Sequence, residues 1–242
     1  MQMSSHVAGA GARQVQRRFK GLFWMVRGLV FGLCLLPLAR LFWLGYHDGL
    51  SANPIEFVIR STGIWTLVFL CITLAVTPLR RLAGLSWLLR LRRMLGLFAF
   101  FYASVHLTTY VWFDQWFDVA EMLRDVIKRP FITAGFVCFL LMVPLALTSN
   151  AWSMRRLGRR WQKLHRLIYP LVLIGLLHFW WVRSGKLDFF EPTIYGLIIA
   201  ALLGLRLVWR LQAQRASAAR KRGAGASAAD AASHAAPART GR

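Results

Sequence analysis

The chain has 242 residues, 57% of them hydrophobic, and its 31 Lys and Arg against 9 Asp and Glu give a formal net charge of +22. Such an apolar composition excludes an ordinary water-soluble domain of this size and predicts an integral membrane protein in contact with membrane lipid. The cations stand in clusters between apolar segments instead of along one continuous face, so we interpret them as topology signals and predict no nucleic-acid partner.

The apolar run that follows Lys20 is long enough to span a membrane and has no small-residue cleavage site after it. It therefore predicts a first transmembrane helix and not a cleaved signal peptide. Cys34, Cys71 and Cys138 each fall inside an apolar segment without CxxC spacing. This pattern supports neither a disulfide framework nor a thiolate metal site.

Six apolar segments are long enough, at about 1.5 Å rise per residue, to cross or nearly cross a hydrocarbon core of about 30 Å. They cover residues 22–44, 57–79, 94–113, 131–147, 167–182 and 189–209. We predict an all-α fold, an integral membrane bundle of six transmembrane helices over residues 21–210. Residues 1–20 are predicted to be a cytoplasmic N-terminal segment, and residues 211–242 a disordered cytoplasmic tail rich in Ala and Arg.

The loops between these segments alternate in charge. Arg and Lys cluster before the first segment, after the second and after the fourth, whereas the acidic residues collect in the other loops. Because cytoplasmic loops carry the excess of Lys and Arg, six crossings with both termini cytoplasmic fit every loop. We expect a multi-pass membrane protein.

Two histidines occur at the same predicted depth on different helices. His106 lies 12 residues beyond Met94, and His178 lies 13 residues beyond His165, which places them about 18 and 20 Å from the cytoplasmic ends of two outward-running helices. An ionisable residue at this depth is expensive and marks a functional site by default. A single membrane histidine often only hydrogen-bonds a neighbouring helix, but two at matched height predict the axial ligands of a haem and an electron-transfer function.

His165 lies at the predicted inner end, beside a basic loop, where it is either a ligand of a second haem or an interfacial histidine. Its partner is not evident, because the position 13 residues before His106 is Arg93. An inner site therefore needs a different ligand, a shared ligand or a flavin. Thirteen residues also leave His165 and His178 roughly 140° apart on one regular helix, so either Pro170 bends that helix or His165 precedes it.

The chain has no Gly-rich phosphate loop, HExxH helix or nucleophile elbow, so any NAD(P)H oxidation is assigned to another protein. A proton-coupled transporter is disfavoured because the 9 acidic residues lie almost entirely in loops. A stand-alone cytochrome b that reduces ferric iron or quinone stays open as an alternative.

Several short segments spread over about residues 20 to 210 resemble the MsrQ family of haem-binding membrane subunits, within the ferric-reductase-like transmembrane superfamily. The segments that carry the resemblance are Asn53–Glu56, Thr62–Gly63, Thr77–Arg80, Arg92–Gly96, Tyr102–His106, Leu147–Asn150 and Trp161–Tyr169. The chain differs from the NADPH-oxidase members of that superfamily in having Arg93 where they have an inner histidine on the third helix.

The resemblance implies a b-type cytochrome that is an electron-transfer subunit and not itself the enzyme. It would carry electrons across the inner membrane, from the quinone pool or a cytosolic flavin reductase, to a periplasmic molybdenum-containing methionine sulfoxide reductase that repairs oxidised proteins. The implied cofactors are haem b, one or two per chain, and FMN. The family's functional histidines correspond to His106, His165 and His178.

Overall fold

The computed structural model describes the backbone of residues 3–234 and the side chains of residues 21–220, 222 and 223. This part of the chain is helical and contains no strand. The α-helices are α1 (Met3–Tyr46), α2 (Pro54–Ala83), α3 (Leu88–Thr109), α4 (Val119–Lys128), α5 (Pro130–Leu147), α6 (Ala151–Leu157), α7 (Arg159–Leu164), α8 (Ile168–Ser184) and α9 (Phe190–His234). A π-helical turn, Tyr110–Asp114, follows α3, and a 3-10 turn, His165–Leu167, precedes α8.

Within the described residues, six helical stretches are long and apolar enough to cross a membrane, which confirms the predicted number and the all-α class. They are Gly21–Tyr46, Pro54–Ala83, Leu88–Asp114, Pro130–Leu147, Arg159–Ser184 and Phe190–Arg220. The side of the membrane on which the termini lie stays a prediction.

Local sequence explains where several of these helices begin and end. The Asn53 side chain accepts a hydrogen bond from the Glu56 amide, and Pro54 occupies the first turn of α2, where its missing N–H costs nothing. Gly84 ends the same helix in a left-handed conformation, with φ of 68°. The Asn150 side chain caps α6 by accepting from the Ser153 amide at 2.7 Å.

The chain divides into two compact units, Met1–Gly196 and Leu197–Arg242. In the first unit α2 packs along α3, α5 packs along α8, and a contact between α3 and α5 joins the two pairs. The described part of the second unit is the remainder of α9. Residues 211–234, within the predicted disordered tail, are helical, because Ala has the highest intrinsic helix propensity even without burial. Residues 235–242 lie outside the described residues.

Tyr102 of α3 is fully buried and bonds the backbone of α1 beside Pro37, which lies inside that helix. Its hydroxyl donates to the Cys34 carbonyl at 2.8 Å and accepts from the Leu38 amide at 3.2 Å. These two backbone groups would be direct partners in a regular helix. The hydroxyl therefore inserts into the helical hydrogen-bond ladder and satisfies both groups at the proline, where opened ladders are common.

Candidate haem-binding site

The structure brings His106 of α3 and His178 of α8 together. Their imidazole centroids are 6.3 Å apart and their ring planes meet at 78°. Both side chains are partly buried between helices that are long and apolar enough to span a membrane. The matched depth predicted from helical rise is therefore accompanied by direct proximity.

A backbone carbonyl fixes the orientation of each ring. His106 Nδ1 is 2.9 Å from the Ile59 carbonyl oxygen on α2, and His178 Nδ1 is 2.6 Å from the Phe131 carbonyl oxygen on α5. A carbonyl can only accept, so each Nδ1 carries the proton. The Nε2 lone pair of each ring is then available to a metal, and the Nδ1–H donation increases its basicity.

A glycine faces each of the two rings. A Cβ atom on Gly63 would be 3.1 Å from His106 Cε1, and a Cβ atom on Gly135 would be 2.8 Å from His178 Cε1. Both distances are shorter than ordinary van der Waals contact, so a larger residue would displace the imidazole, further at Gly135 than at Gly63. The two glycines allow the helix backbones to approach the rings closely.

Both histidines are held by the same residue pattern. Each ring bonds the carbonyl of the residue 47 positions earlier in the chain and contacts the glycine four residues after that carbonyl. Positions four apart lie on one helix face, so carbonyl and glycine form a single binding surface on α2 and again on α5. The α2–α3 and α5–α8 pairs therefore present their histidines in equivalent ways.

The spacing of the rings would allow both imidazoles to bind one metal ion. Metal–nitrogen bonds to histidine are about 2 Å long, and two such bonds plus the distance from each nitrogen to its ring centre amount to about 6 Å, close to the 6.3 Å observed. Among the described side chains no three His, Cys, Asp or Glu residues form a metal-binding group. Two histidines therefore suit a macrocycle that supplies the remaining ligands, as haem does.

An aromatic pair lies inward of the histidines. Phe100 of α3 and Phe139 of α5 stack with centroids 5.6 Å apart and an interplanar angle of 20°. Phe100 precedes His106 by six residues and Phe139 follows Gly135 by four, so the stack lies one to two turns along these helices from the histidine pair. It supplies an apolar surface at the contact between α3 and α5.

His165 is not part of this pair. It lies in the 3-10 turn before α8, so it precedes that helix, as one of our two explanations of the spacing required. Its Nε2 is 3.1 Å from the Thr148 hydroxyl, and its ring stacks on Trp161 with centroids 4.0 Å apart. Trp161 Nε1 in turn donates to the Thr148 carbonyl at 2.9 Å.

Sequence reasoning missed the two glycines and the two carbonyl groups as parts of the site. Backbone groups have no residue-type signature, and an isolated glycine in an apolar helix has many explanations. The signal that identifies them is the equal separation of Gly63 from His106 and of Gly135 from His178. That signal becomes interpretable only when α2 is known to pair with α3, and α5 with α8.

One family model and several known proteins are similar to this chain. The family model described as "Ferric reductase like transmembrane component" matches residues 62–176. A protein of Herminiimonas arsenicoxydans is 57% identical over 189 residues, covering 78% of this chain and 87% of its own length. A protein of Bordetella pertussis is 57% identical over 187 residues, 76% of this chain and 91% of its own. A third, from Xanthomonas campestris pv. campestris, is 49% identical over 195 residues, 78% of this chain and 88% of its own.

All three relatives carry the name protein-methionine-sulfoxide reductase heme-binding subunit MsrQ. No solved structure matches the chain. The extent of the identity, nearly the whole length of each relative, shows that this chain belongs to the MsrQ family.

Proposed function

We propose that this chain binds a b-type haem between His106 and His178 and passes electrons through it to a methionine sulfoxide reductase. The observation that carries the proposal is the histidine pair itself, with ring centroids 6.3 Å apart and both Nδ1 atoms bonded to carbonyls. When bound, the haem supplies one-electron oxidation and reduction.

The protein's part in this chemistry is to hold two neutral imidazoles in fixed orientation. The carbonyls of Ile59 and Phe131 select the tautomer, and Gly63 and Gly135 hold the backbone close to the rings. A site built on helices would hold its ligands more precisely than one built on loops. The surrounding apolar side chains restrict water, which is one way a protein tunes a redox potential.

We further propose that the electron acceptor is a separate periplasmic catalytic subunit containing molybdenum, and that the donor is the quinone pool or a cytosolic flavin reductase. The names of the relatives, each a subunit of a protein-methionine-sulfoxide reductase, support a separate catalytic partner. The histidine pair lies in the half of the membrane that the charge pattern predicts to be periplasmic. In this arrangement the chain is an inner-membrane electron-transfer subunit that supports the repair of oxidised proteins.

His165 is proposed as a contact of a second, inner cofactor, either a second haem or FMN. Its Nε2 is bonded to the Thr148 hydroxyl, so ligation would require that atom to exchange the hydroxyl for the cofactor. The stacking of His165 on Trp161 supplies a flat aromatic surface at the same place. An inner cofactor would thus be held by a residue set different from that of the outer haem.

The first experiment is a reduced-minus-oxidised visible spectrum of the detergent-purified protein, with haem quantified per chain. We expect a sharp low-spin b-type spectrum in the parent chain and its loss in His106→Ala and in His178→Ala. His47→Ala, at an exposed loop histidine, is the matched control and should retain full haem. Retention of the parent spectrum by either ligand variant would refute the assignment.

His165→Ala tests the inner cofactor separately. If His165 holds a second haem, the variant should lose one of two haems per chain while keeping the low-spin spectrum of the other. Electron delivery is tested in proteoliposomes, with a quinol as donor and the purified catalytic subunit with methionine sulfoxide as acceptor. Haem oxidation that requires the catalytic subunit supports the proposed partner, whereas oxidation by ferric iron or quinone alone favours the stand-alone cytochrome.

A further inference from the structure

The short helix α4, between the third and fourth candidate spans, has one face fixed to the rest of the protein. Asp125 on this face is only 3% exposed. Its carboxylate accepts from the Tyr110 hydroxyl at 3.3 Å and from Gln115 Nε2 at 3.1 Å, and pairs with Arg129 Nε at 3.1 Å. Three donors on one buried carboxylate fix the rotation of α4 about its axis.

A second face of α4 is apolar and uncovered. Val119, Leu123 and Ile127 are 70%, 61% and 76% exposed. Their spacing of four residues aligns them in one stripe, here called the apolar stripe. An exposed stripe of three branched aliphatic side chains on a helix this short is unfavourable in water, at about 25 cal/mol per Å² of apolar surface.

The third face of α4 is polar. It carries Glu121, Arg124 and Lys128, all exposed, and Arg124 pairs with Glu121 at 3.3 Å. At 100° per residue these positions lie roughly 120° around the helix from the apolar stripe. A helix held against a protein and otherwise surrounded by water would be polar on both of its free faces. One apolar and one polar free face are typical of a helix between lipid and water.

The apolar stripe continues onto the flank of the candidate membrane spans. Ile127 lines an open apolar groove together with Pro130 and Val137 of α5 and Leu177 and Trp181 of α8. Just before α4, Trp116 and Phe117 are 75% and 59% exposed, and both have positive φ, 48° and 62°. Aromatic side chains displayed in this way are typical of the membrane boundary.

We propose that α4 lies in the plane of the membrane boundary, with the apolar stripe in lipid and the Glu121–Arg124–Lys128 face in water. The continuity of the stripe with the spans favours lipid as the occupant over a soluble protein. This inference does not depend on haem binding, because it rests only on α4 and its immediate neighbours.

The position of α4 has a consequence for the histidine site. Phe131, whose carbonyl bonds His178, is the second residue of α5 and lies three residues after the end of α4 at Lys128. Asp125 and Arg129 link the end of α4 to the start of α5, and Thr133 donates to the Val126 carbonyl. An in-plane α4 therefore fixes the height of α5, and with it the depth of His178 below that surface.

The test uses nitroxide spin labels on the full-length chain in liposomes. Leu123→Cys reports on the apolar stripe and Lys128→Cys on the polar face, and Ile127→Cys with Arg124→Cys is a second matched pair. The three native cysteines are buried, and the unmodified chain carried through the same labelling measures their background. The elution volume of each variant in gel filtration is compared with that of the parent chain. This comparison tests whether the variant is folded without relying on its haem content.

We expect the labels at Leu123 and Ile127 to collide more with oxygen, which partitions into lipid, and those at Lys128 and Arg124 to collide more with a water-soluble nickel chelate. Equal access of the nickel chelate to both members of each pair would overturn the proposal. The apolar stripe would then face water and be a docking face for a soluble protein.

Discussion

Gly135→Ala tests the geometry of the histidine site most directly. Helix propensity predicts a more stable protein, whereas the close approach to His178 predicts weaker haem binding. Alanine in a helix is favoured over glycine by up to about 1 kcal/mol, so helix propensity alone predicts a more stable protein. The added Cβ atom would lie 2.8 Å from His178 Cε1 and 2.9 Å from Nδ1. Real Cβ contacts are almost never this short, so the ring must move away from α5.

The displacement weakens the hydrogen bond that orients the ring. The Phe131 carbonyl that His178 Nδ1 bonds at 2.6 Å belongs to α5, the helix that carries Gly135, so a ring that retreats from the new methyl group also retreats from this carbonyl. Loss of the second partner of a ligating histidine typically reduces metal affinity 10- to 100-fold. We expect about 100-fold for Gly135→Ala, the upper end of that range.

Two further Gly→Ala variants test whether the loss of haem affinity depends on the distance from the added Cβ atom to the imidazole. A Cβ atom on Gly63 would lie 3.1 and 3.2 Å from His106 Cε1 and Nδ1, so a smaller displacement suffices and we expect a loss of about tenfold, the lower end of the range. Gly32→Ala on α1, where nothing lies within 4 Å of the added atom, should leave haem binding unchanged.

The assay is the rate of haem transfer from each purified variant to excess apomyoglobin, with haem per chain measured first. We expect Gly135→Ala to lose haem fastest and Gly63→Ala more slowly. Gly32→Ala should lose haem at the same rate as the parent. A Gly135→Ala protein that retains haem as firmly as the parent would refute the claim that this close approach positions His178.

Three further variants test the supports around the site, each by thermal unfolding in detergent. Tyr102→Phe removes the hydroxyl that bonds α1 beside Pro37 and leaves the Leu38 amide without that partner. We expect the free energy of unfolding to fall by about 1–3 kcal/mol, and an unchanged unfolding midpoint would contradict the bridging role. Glu191→Gln removes the charge paired with Arg183, whose side chain is only 5% exposed and which also pairs with Asp188 at 3.1 Å. We expect the free energy of unfolding to fall by about 1–3 kcal/mol. As a control, reversing the charge of the exposed Lys128 should change the unfolding midpoint little. Asp125→Asn weakens the contacts that fix α4. We expect the free energy of unfolding to fall by about 1–3 kcal/mol here too, and proteolysis near α4 to increase.

The membrane class and the histidine pair could be predicted from sequence because both depend on distances along a helix. A rise of about 1.5 Å per residue converts sequence position into depth, and this conversion gave His106 and His178 the same height. The same conversion says nothing about rotation around the helix or about which helices are neighbours. The pairing of α2 with α3 and of α5 with α8 therefore came only from the structure.

Other features were missed because their signal is weak or lies in the backbone. We treated the stretch around Asp118 and Asp125 as an acidic loop, but Asp118 caps α4 by accepting from the Glu121 amide and Asp125 is buried against Tyr110. A helix of ten residues with three kinds of face does not show the simple two-sided periodicity used to predict amphipathic helices. The helical course of residues 211–234 was missed for a different reason, since we weighed the lack of burial and not the propensity of alanine.

The two helix pairs differ at the end of the protein that the charge pattern predicts to be cytoplasmic. Arg93 and His165 stand at the same distance before His106 and His178 in the sequence, but Arg93 is exposed and His165 lies in the turn before α8, so the repeat brings no second pair of imidazoles together. A guanidinium stays protonated and offers no lone pair to a metal. An inner haem would therefore need a ligand from outside this pattern, whereas the positive charge of Arg92, which acts on His165, would favour an anionic cofactor. The inner site proposed at His165 is for this reason chemically different from the outer one, and a flavin phosphate fits its charge better than a second bis-histidine haem fits its ligands.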